Sequence, residues 1–231
     1  MNTGADAIVG GASTQDIYHS VRQPTATYLA LKRVLDVTLA AVGIIVFAPV
    51  FAVIAICIAL DSGLPVLYRQ ERVGWNGRRF TIIKYRSMRA DADSQIHVSY
   101  VQGLLRGEHP SGPGLYKLHA DSRVTRVGAF LRRTSLDELP QLWNVLTGEM
   151  SLVGPRPDVP YSVEVYAPWA LRRLAVKPGI TGLWQVSGRS NLSIQDMLQL
   201  DIAYVDQHSL RLDIMILLRT IPTVISRNGA A

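Results

Sequence analysis

The sequence predicts an α+β, helix-rich protein that is monotopic in the membrane, with one proline-kinked re-entrant helix, a short β-hairpin and interfacial amphipathic helices. Three observations predict this class. The apolar run 39–60 contains no Asp, Glu, Lys, Arg or His. Pro49 lies in the middle of that run. After the apolar run, an Asn-Gly pair at 76–77 separates two strand-like segments.

The apolar run is long enough to reach through the core of a bilayer. At about 1.5 Å of rise per residue, a helix over it would measure roughly 33 Å. A buried helix of a soluble core is the alternative, but such helices usually keep a polar stripe and this run has none. Pro49 removes a backbone donor and predicts a kink, although transmembrane helices also tolerate proline.

Basic residues lie on both sides of the apolar run. Lys32 and Arg33 precede it, and four arginines follow it: Arg69, Arg72, Arg78 and Arg79. Positive flanks stay on the cytoplasmic side of a membrane, so a helix that enters and leaves on one face satisfies both flanks better than a spanning helix. We therefore expect a re-entrant membrane helix over 29–61, with Lys32 and Arg33 at the lipid headgroups.

The remaining chain divides into a short tail and one domain. Residues 1–28 are small and polar, which predicts a disordered tail. Residues 62–231 provide enough chain for one globular domain of ordinary size. Segments 66–70 and 79–85 read as strands around the Asn-Gly turn, which predicts the hairpin.

Helices are predicted for most of the rest. Ser135 and Glu138 have the spacing of a capping box before a helix with leucines at helical intervals, although Pro140 allows a later start. Three further helices are expected over 97–105, 162–176 and from the capping pair Ser193 and Asp196 to about 206. Segment 210–225 is apolar with a few charges, as in a helix of the membrane interface.

Composition narrows the classes of partner. The formal charge is +6 and the pI is about 9.7, which suits anionic lipid, nucleotide phosphate or nucleic acid. No zinc-ligand spacing, aromatic RNA-binding signature or basic heptad helix is present, so no nucleic-acid partner is expected. Cys57 is the single cysteine and lies in the apolar run, which excludes a disulfide framework.

Two adjacent acids, Asp137 and Glu138, have arginines around them in the sequence. By themselves the acids could be a helix cap. Arg132 precedes them, Arg156 lies between two prolines and Arg189 lies among glycines. Since arginine binds phosphate through a planar fork of donors, the pattern indicates a phosphoryl substrate. Mg²⁺ between the anions, or attack of a carboxylate on phosphorus, would be the matching chemistry.

No phosphate-binding loop of the GxxxxGK[ST] or GxGxxG type occurs. Four ordered segments instead resemble the bacterial sugar transferase family: KYRSM at 84–88, RRTSLDELPQLWNVL at 132–146, GEMSLVGPRP at 148–157 and KPGITGLWQVSGR at 177–189. The members that they resemble are monotopic polyprenyl-phosphate phosphoglycosyl transferases of the exopolysaccharide-initiating type. The resemblance extends from about residue 31 to the end of the chain. It implies that residues 62–231 form a catalytic domain at the cytoplasmic face of the bacterial inner membrane.

The resemblance also implies roles for individual residues. Asp137 matches the nucleophile that attacks the β-phosphorus of a UDP-sugar and releases UMP, and it would also ligate Mg²⁺. Glu138 matches the second acid of the pair. Basic residues at matching positions would hold the phosphates or the nucleotide: Lys84, Arg132, Arg156 and Arg189. The sugar phosphate would then pass to undecaprenyl phosphate. Asp201 and Asp213 fall at acidic positions with no assigned role.

Several points stay open at the level of sequence. Small family members often carry Ser-Pro at the helix break, whereas this chain has Ala48 before Pro49, so the sharpness of the bend is undetermined. A membrane-associated metal-dependent phosphohydrolase and a non-enzymatic anchor of a glycan-assembly complex are the alternative functions. Glucose and galactose are the sugars expected by analogy with the family. The oligomeric state is open, with a homodimer among the alternatives.

Overall fold

The computed structural model describes residues 14–89, 103 and 123–226. Its helices, in chain order, are α1 (Thr14–His19), α2 (Ala26–Val46), α3 (Ala48–Ser62), α4 (Arg126–Thr134), α5 (Gln141–Thr147), α6 (Pro160–Val163), α7 (Pro168–Leu171), α8 (Leu183–Ser187), α9 (Ile194–Gln207) and α10 (Leu210–Ser226). Its strands are β1 (Leu67–Val73), β2 (Arg79–Tyr85), β3 (Ser151–Val153) and β4 (Gly179–Thr181). The excess of helix over two small sheets confirms the α+β, helix-rich class.

The apolar run forms two helices with a bend between them. α2 and α3 meet at 61°, and the break lies at Phe47, two residues before Pro49. Proline is well accommodated in the first turn of a helix and not in its interior, so a new helix starts just ahead of it. In the described part of the chain, no single helix has the length and apolar character to cross a membrane; α2 and α3 have them only together.

The first half of the broken helix is bound to the globular domain by its basic residues. Arg33 donates to the carbonyl oxygens of Val145 (2.6 Å) and Leu146 (2.8 Å) near the end of α5. Lys32 lies 3.0 Å from the carboxylate of Asp213 in α10. Both side chains, expected at lipid headgroups, therefore bind groups of the protein, because buried acceptors lie within their reach.

The second half, α3, packs against the hairpin and the segment that follows α4. Ile54 and Ile58 are buried in a cluster with Tyr85 and Leu131, and Leu136 and Leu139 are among the partly buried residues that pack against it. The opposite side of α3 is apolar and exposed, with Val53, Ile56 and Leu60. One face of α3 is thus part of the domain core while the other has no protein cover.

The predicted hairpin is confirmed. β1 and β2 pair antiparallel with Leu67 opposite Tyr85 and Val73 opposite Arg79. Asn76 (φ 53°) and Gly77 (φ 74°) have left-handed backbone angles in the turn, which Asn and Gly adopt more readily than other residues. The turn residues therefore determined both the position and the register of the hairpin.

A short parallel pair forms the second sheet. Ser151 of β3 lies opposite Gly179 of β4. A Cβ atom at Gly179 would lie 2.1 Å from the backbone nitrogen of Gly154, so no side chain fits there. Asp36 of α2 accepts hydrogen bonds from the Ser151 hydroxyl (3.1 Å) and from the Leu152 amide (2.9 Å), which joins the sheet to the broken helix.

Two sequence expectations differ from the structure, and a third lies outside its described residues. The predicted disordered tail, 1–28, includes α1 and the first three residues of α2, and Ile17, Tyr18 and Val21 within it are buried. The helix predicted over 162–176 is divided by Pro168 into α6, α7 and the 3-10 turn Arg172–Ala175, because proline disfavours helical backbone in the residue before it. The helix expected at 97–105 and residues 1–13 fall outside the described residues.

One capping box is confirmed and one is wrong. Ser193 and Asp196 cap α9 reciprocally. Ser135 adopts a left-handed conformation (φ 58°) and caps nothing with its side chain. A 3-10 turn over Leu136–Glu138 follows it, and α5 begins at Gln141. The later helix start agrees with the position of Pro140.

Candidate active site

The two adjacent acids lie in the 3-10 turn between α4 and α5. Asp137 is 9% exposed, and Glu138 is half-buried. Leu136 and Leu139, which flank the acids, pack into the apolar cluster on α3. The turn is therefore anchored on the broken helix by the apolar residues on either side of its polar pair.

Glu138 is held by two basic side chains from different elements. Nη2 of Arg156 lies 2.5 Å from Oε1 of Glu138, and Nη1 of Arg156 lies 3.2 Å from Oε2. Nζ of Lys84, near the end of β2, lies 3.9 Å from Oε1. The two-pronged arginine contact fixes the orientation of the carboxylate as well as its charge.

Asp137 makes no hydrogen bond or ion pair with any residue that the structure describes. Burial raises its pKa from the ordinary 3.8 to about 6, and the negative charge of Glu138 acts in the same direction. The positive charges of Lys84, Arg156 and Arg132 lower the pKa in part. A carboxylate that ionises close to neutral pH and has no partner is well suited to react as a nucleophile.

Lys84 is itself perturbed. Its pKa is lowered from 10.5 to about 8, chiefly by burial and also by the nearby positive charge of Arg156, whereas Glu138 acts against the shift. The ammonium group is thus charged at neutral pH and close to the limit at which it loses its proton. An anionic ligand beside it would favour the charged form.

Arg189 reaches the turn from the glycine-rich segment. Its φ is 52°, and its Nη2 lies 3.3 Å from the hydroxyl of Ser135 while Nη1 donates to the carbonyl oxygen of Thr223 (3.2 Å). The charge of Glu138 acts on Arg189. The structure therefore brings the predicted set into one cluster around the turn: Lys84, Arg132, Asp137, Glu138, Arg156 and Arg189.

A buried brace behind Arg156 was not predicted. Arg173 donates through Nη2 to the backbone oxygen of Arg156 (2.8 Å) and to Asp201 (2.5 Å). It also pairs with Asp158, which accepts from the hydroxyl of Tyr166. Asp201 is 1% exposed and is a buried counter-ion of this brace. No local spacing could have indicated it, because the brace residues are separated by long stretches of chain.

Asp213, the other acid without an assigned role, is a buried acceptor. It takes hydrogen bonds from Tyr28 (3.0 Å) and Tyr204 (2.7 Å), beside the ion pair with Lys32. These contacts join α2, α9 and α10 in one network. Asp213 therefore holds the broken helix to the domain and lies outside the acidic turn.

Asn144 of α5 was also missed. Its Oδ1 accepts from the amide of Ile83 (3.2 Å), and its Nδ2 donates to the carbonyl oxygen of Thr81 (2.8 Å) and to Glu149 (2.9 Å). These bonds hold the free edge of β2, and with it Lys84, against the helix that follows the acids. The signal in the sequence was a polar residue within a helix rich in apolar residues.

The residues present are compatible with one divalent ion whose remaining ligands come from the substrate. Among the described residues there is no group of three or more His, Cys, Asp or Glu side chains that could hold a metal. Both oxygens of Glu138 contact Arg156, whereas Asp137 has no hydrogen bond or ion pair within the part of the chain that the structure describes. Mg²⁺ is commonly held by one or two carboxylates together with substrate phosphates and water, so Asp137 could provide the carboxylate ligand.

The chain matches a known protein family over most of its length. The family model described as bacterial sugar transferase matches residues 27–227. The galactosyl transferase CpsE of Streptococcus agalactiae is 41% identical over 215 residues, 93% of this chain and 46% of the relative. The exopolysaccharide production protein ExoY of Rhizobium meliloti is 40% identical over 199 residues, 86% of this chain and 87% of the relative.

A third relative is named for a complete reaction. The UDP-glucose:undecaprenyl-phosphate glucose-1-phosphate transferase of Caulobacter vibrioides is 39% identical over 208 residues, which cover 86% of this chain and 71% of the relative. The chain spans about half the length of several curated relatives that it matches, CpsE among them.

Proposed function

This chain belongs to the bacterial sugar transferase family, and from that premise we propose that it transfers a sugar 1-phosphate from a UDP-sugar to undecaprenyl phosphate and so initiates exopolysaccharide synthesis. The single observation that supports this proposal most strongly is the state of Asp137. The carboxylate of Asp137 is buried, has no hydrogen bond or ion pair with the residues that the structure describes and has a pKa of about 6, and the positive charges of Lys84, Arg156 and Arg132 act on it. The printed names of the relatives agree with such a transfer.

The reaction runs in two displacements at one phosphorus atom. A carboxylate oxygen of Asp137 attacks the β-phosphorus of the donor, the bond from that phosphorus to the bridging oxygen breaks, and UMP leaves with the electron pair. A phosphate oxygen of undecaprenyl phosphate then attacks the same phosphorus. The bond to Asp137 breaks, which regenerates the carboxylate and yields the lipid-linked sugar diphosphate.

The basic residues offset the negative charge of the donor's diphosphate and of the UMP that leaves. Lys84, Arg156 and Arg132 act on Asp137 through their charge, and Arg189 adds a further cation beside Glu138. Since Arg156 is already fixed by Glu138 and by Arg173, its guanidinium is oriented before substrate binds. Orientation in advance is the main way in which such groups stabilise a transition state.

Glu138 serves as the anchor of this basic cluster. Its contacts with Arg156 and Lys84 keep two cations beside the nucleophile without placing either in direct contact with it. Asp137 would hold Mg²⁺ together with the phosphates of the donor. The ion, when bound, offsets negative charge on the diphosphate and on departing UMP.

Membrane attachment brings this site to its lipid substrate. We assign the bent pair α2 and α3 as a re-entrant element on the cytoplasmic face of the bacterial inner membrane, and the 61° bend and the exposed apolar side of α3 support the assignment. α10 carries a second exposed apolar stripe that would contact membrane lipids at the interface: Ile214, Leu218, Ile221 and Ile225. The lipid contacts of α3 and of α10 would then lie on the same side of the protein.

Release of UMP tests the proposal and separates it from its alternatives. The protein in detergent or nanodiscs would be given UDP-glucose, UDP-galactose and UDP-N-acetylgalactosamine, each with and without undecaprenyl phosphate. A transferase with a covalent intermediate releases sustained UMP only with acceptor, and labels Asp137 with sugar phosphate when acceptor is omitted. Release that is independent of acceptor would indicate a phosphohydrolase, and no release with any donor would indicate a non-enzymatic anchor.

A further inference from the structure

Gln141, the first residue of α5, is a buried amide with an unsatisfied donor. It is 1% exposed, and its Nε2 atom is buried without a hydrogen-bond partner in the part of the chain that the structure describes. Buried polar groups in native proteins are almost always paired, and an unpaired one lowers stability. The residue therefore calls for an explanation outside the stability of the fold.

The backbone places Gln141 on the same face as the nucleophile. Leu139 (φ −53°, ψ −38°) and Pro140 (φ −61°, ψ −18°) are both helical, so the chain from Asp137 to Gln141 makes one turn. Side chains four residues apart on a helix are neighbours. Trp143, on another face of α5, is 57% exposed.

Contacts on either side of Gln141 show which way this face is turned. One turn later, Asn144 bonds to the amide of Ile83 in β2. At the acidic turn, Glu138 lies beside Lys84 of the same strand. Gln141 lies between Glu138 and Asn144 in the chain, and both of these neighbours contact β2, so we infer that the buried amide of Gln141 faces the part of β2 that carries Lys84.

The comparison with Asn144 separates two kinds of buried amide. Every polar atom of the Asn144 side chain has a partner in the fold, which is the pattern of a structural amide. Gln141 has the same burial and none of those bonds for Nε2. A donor kept free beside a reactive carboxylate is the pattern of a group that waits for a substrate oxygen.

We infer that Gln141 is a further substrate-contacting residue, whose Nε2–H donates to a non-bridging oxygen of the phosphoryl group that is transferred to Asp137. This inference rests on the proposed function and assigns it one more residue. The amide gains and loses no proton, and the bonds that form and break are those already given. Being neutral, it can stabilise charge on the phosphoryl oxygens without forming an ion pair with the nucleophile.

Gln141→Met tests the inference, because methionine has a similar shape and no donor. We expect kcat for UMP release, with undecaprenyl phosphate present, to fall about 100-fold. KM for the donor should change less than about threefold, since the contact strengthens in the transition state. The melting temperature should stay the same or rise, because the unpaired donor is gone. Gln207→Met, at the exposed end of α9, is the matched control and should change none of these.

Gln141→Glu provides a second variant of the same shape, in which an ionised carboxylate replaces the donor, and kcat should fall at least as far. A folded Gln141→Met protein with the wild-type kcat would overturn the inference. A loss of several degrees in melting temperature in both variants would also overturn it, since that result indicates a structural amide. A wild-type chain that releases no UMP refutes the proposed function itself, and this outcome is recognised before any variant is compared.

Discussion

Arg86 and Ser62 are joined at the point where the broken helix ends. Nη2 of Arg86 lies 2.7 Å from the carbonyl oxygen of Ser62 and 3.0 Å from its hydroxyl, and it also donates to the carbonyl oxygen of Gly63 (2.5 Å). Arg86 is 5% exposed. A cation at these last carbonyl groups satisfies backbone acceptors and complements the helix dipole. The strand that carries Lys84 is thereby tied to the end of α3.

Replacement of Arg86 by leucine should lower the free energy of unfolding by about 2 kcal/mol, because carbonyl groups at the end of α3 lose their buried donor. Denaturation in detergent, followed by circular dichroism, measures the change. Arg79→Leu is the control, since Arg79 forms an exposed ion pair with Glu71 and such pairs contribute about 0–1 kcal/mol. Equal losses in the two variants would contradict a special role for Arg86.

Asp137→Asn should reduce UMP release about 1,000-fold or more, because an amide oxygen is a poor nucleophile and cannot form the phosphosugar ester. Partition into membranes should not change, since the apolar elements are untouched. Asp206→Asn removes a surface carboxylate that pairs with Arg172, and it should retain activity. Full activity in Asp137→Asn would refute the assignment of the nucleophile.

The two perturbed pKa values predict a bell-shaped pH profile. The carboxylate of Asp137 forms as pH rises through about 6, and Lys84 loses its charge as pH rises through about 8. kcat/KM for UMP release should therefore be highest between these limits, because this parameter reports groups of the free enzyme. In Lys84→Arg the alkaline limb should disappear, since arginine stays charged; a limb that persists near pH 8 would exclude Lys84 as its source.

Asn144→Ala should lower the free energy of unfolding by about 2–4 kcal/mol, because the buried amide of Ile83 and the carbonyl group of Thr81 lose their partner. The position of Lys84 should become less defined, so kcat/KM should fall as well. Chemical denaturation and steady-state kinetics measure the two effects. Asn191→Ala, at an exposed position, should change stability by less than about 0.5 kcal/mol.

A re-entrant helix places its two ends on one side of the bilayer. With Cys57 replaced by alanine, cysteines introduced at the exposed positions Arg22 and Arg78 should both react with a membrane-impermeant maleimide in inside-out vesicles. Neither should react in sealed right-side-out vesicles. Reaction of the two positions from opposite sides would establish a spanning helix and would refute the re-entrant topology.

Local signals in the sequence predicted the elements that depend on neighbouring residues. Asn76 and Gly77 determined the hairpin, and Ser193 with Asp196 determined the start of α9, because both depend on contacts within a few residues. Ser135 misled for the opposite reason. Its partner in the expected capping box, Glu138, is drawn to Arg156 across the fold, and a local pattern carries no information on that distant contact.

The membership of the candidate site was predictable, whereas its supports were not. The pattern of Asp137 and Glu138 with nearby arginines, together with the family resemblance, indicated these residues, since phosphate chemistry needs such groups. Arg173 supports Arg156 from behind, and no short spacing in the chain indicates that contact. Burial of Asp137, which raises its pKa, likewise depends on packing that only the folded chain supplies.

Leu136 and Leu139 pack against α3 on either side of the acids. In the proposed membrane orientation, the depth of the Asp137 carboxylate relative to the lipid is therefore set by the same contacts that hold the broken helix to the domain. A substitution that changes the depth of the broken helix in the membrane would therefore also change the position of the catalytic carboxylate. If α2 and α3 were replaced by the membrane element of another protein, that element would have to provide an apolar surface on which both leucines can pack. Otherwise the acid pair would stand too high or too low to meet a phosphate at the headgroup level.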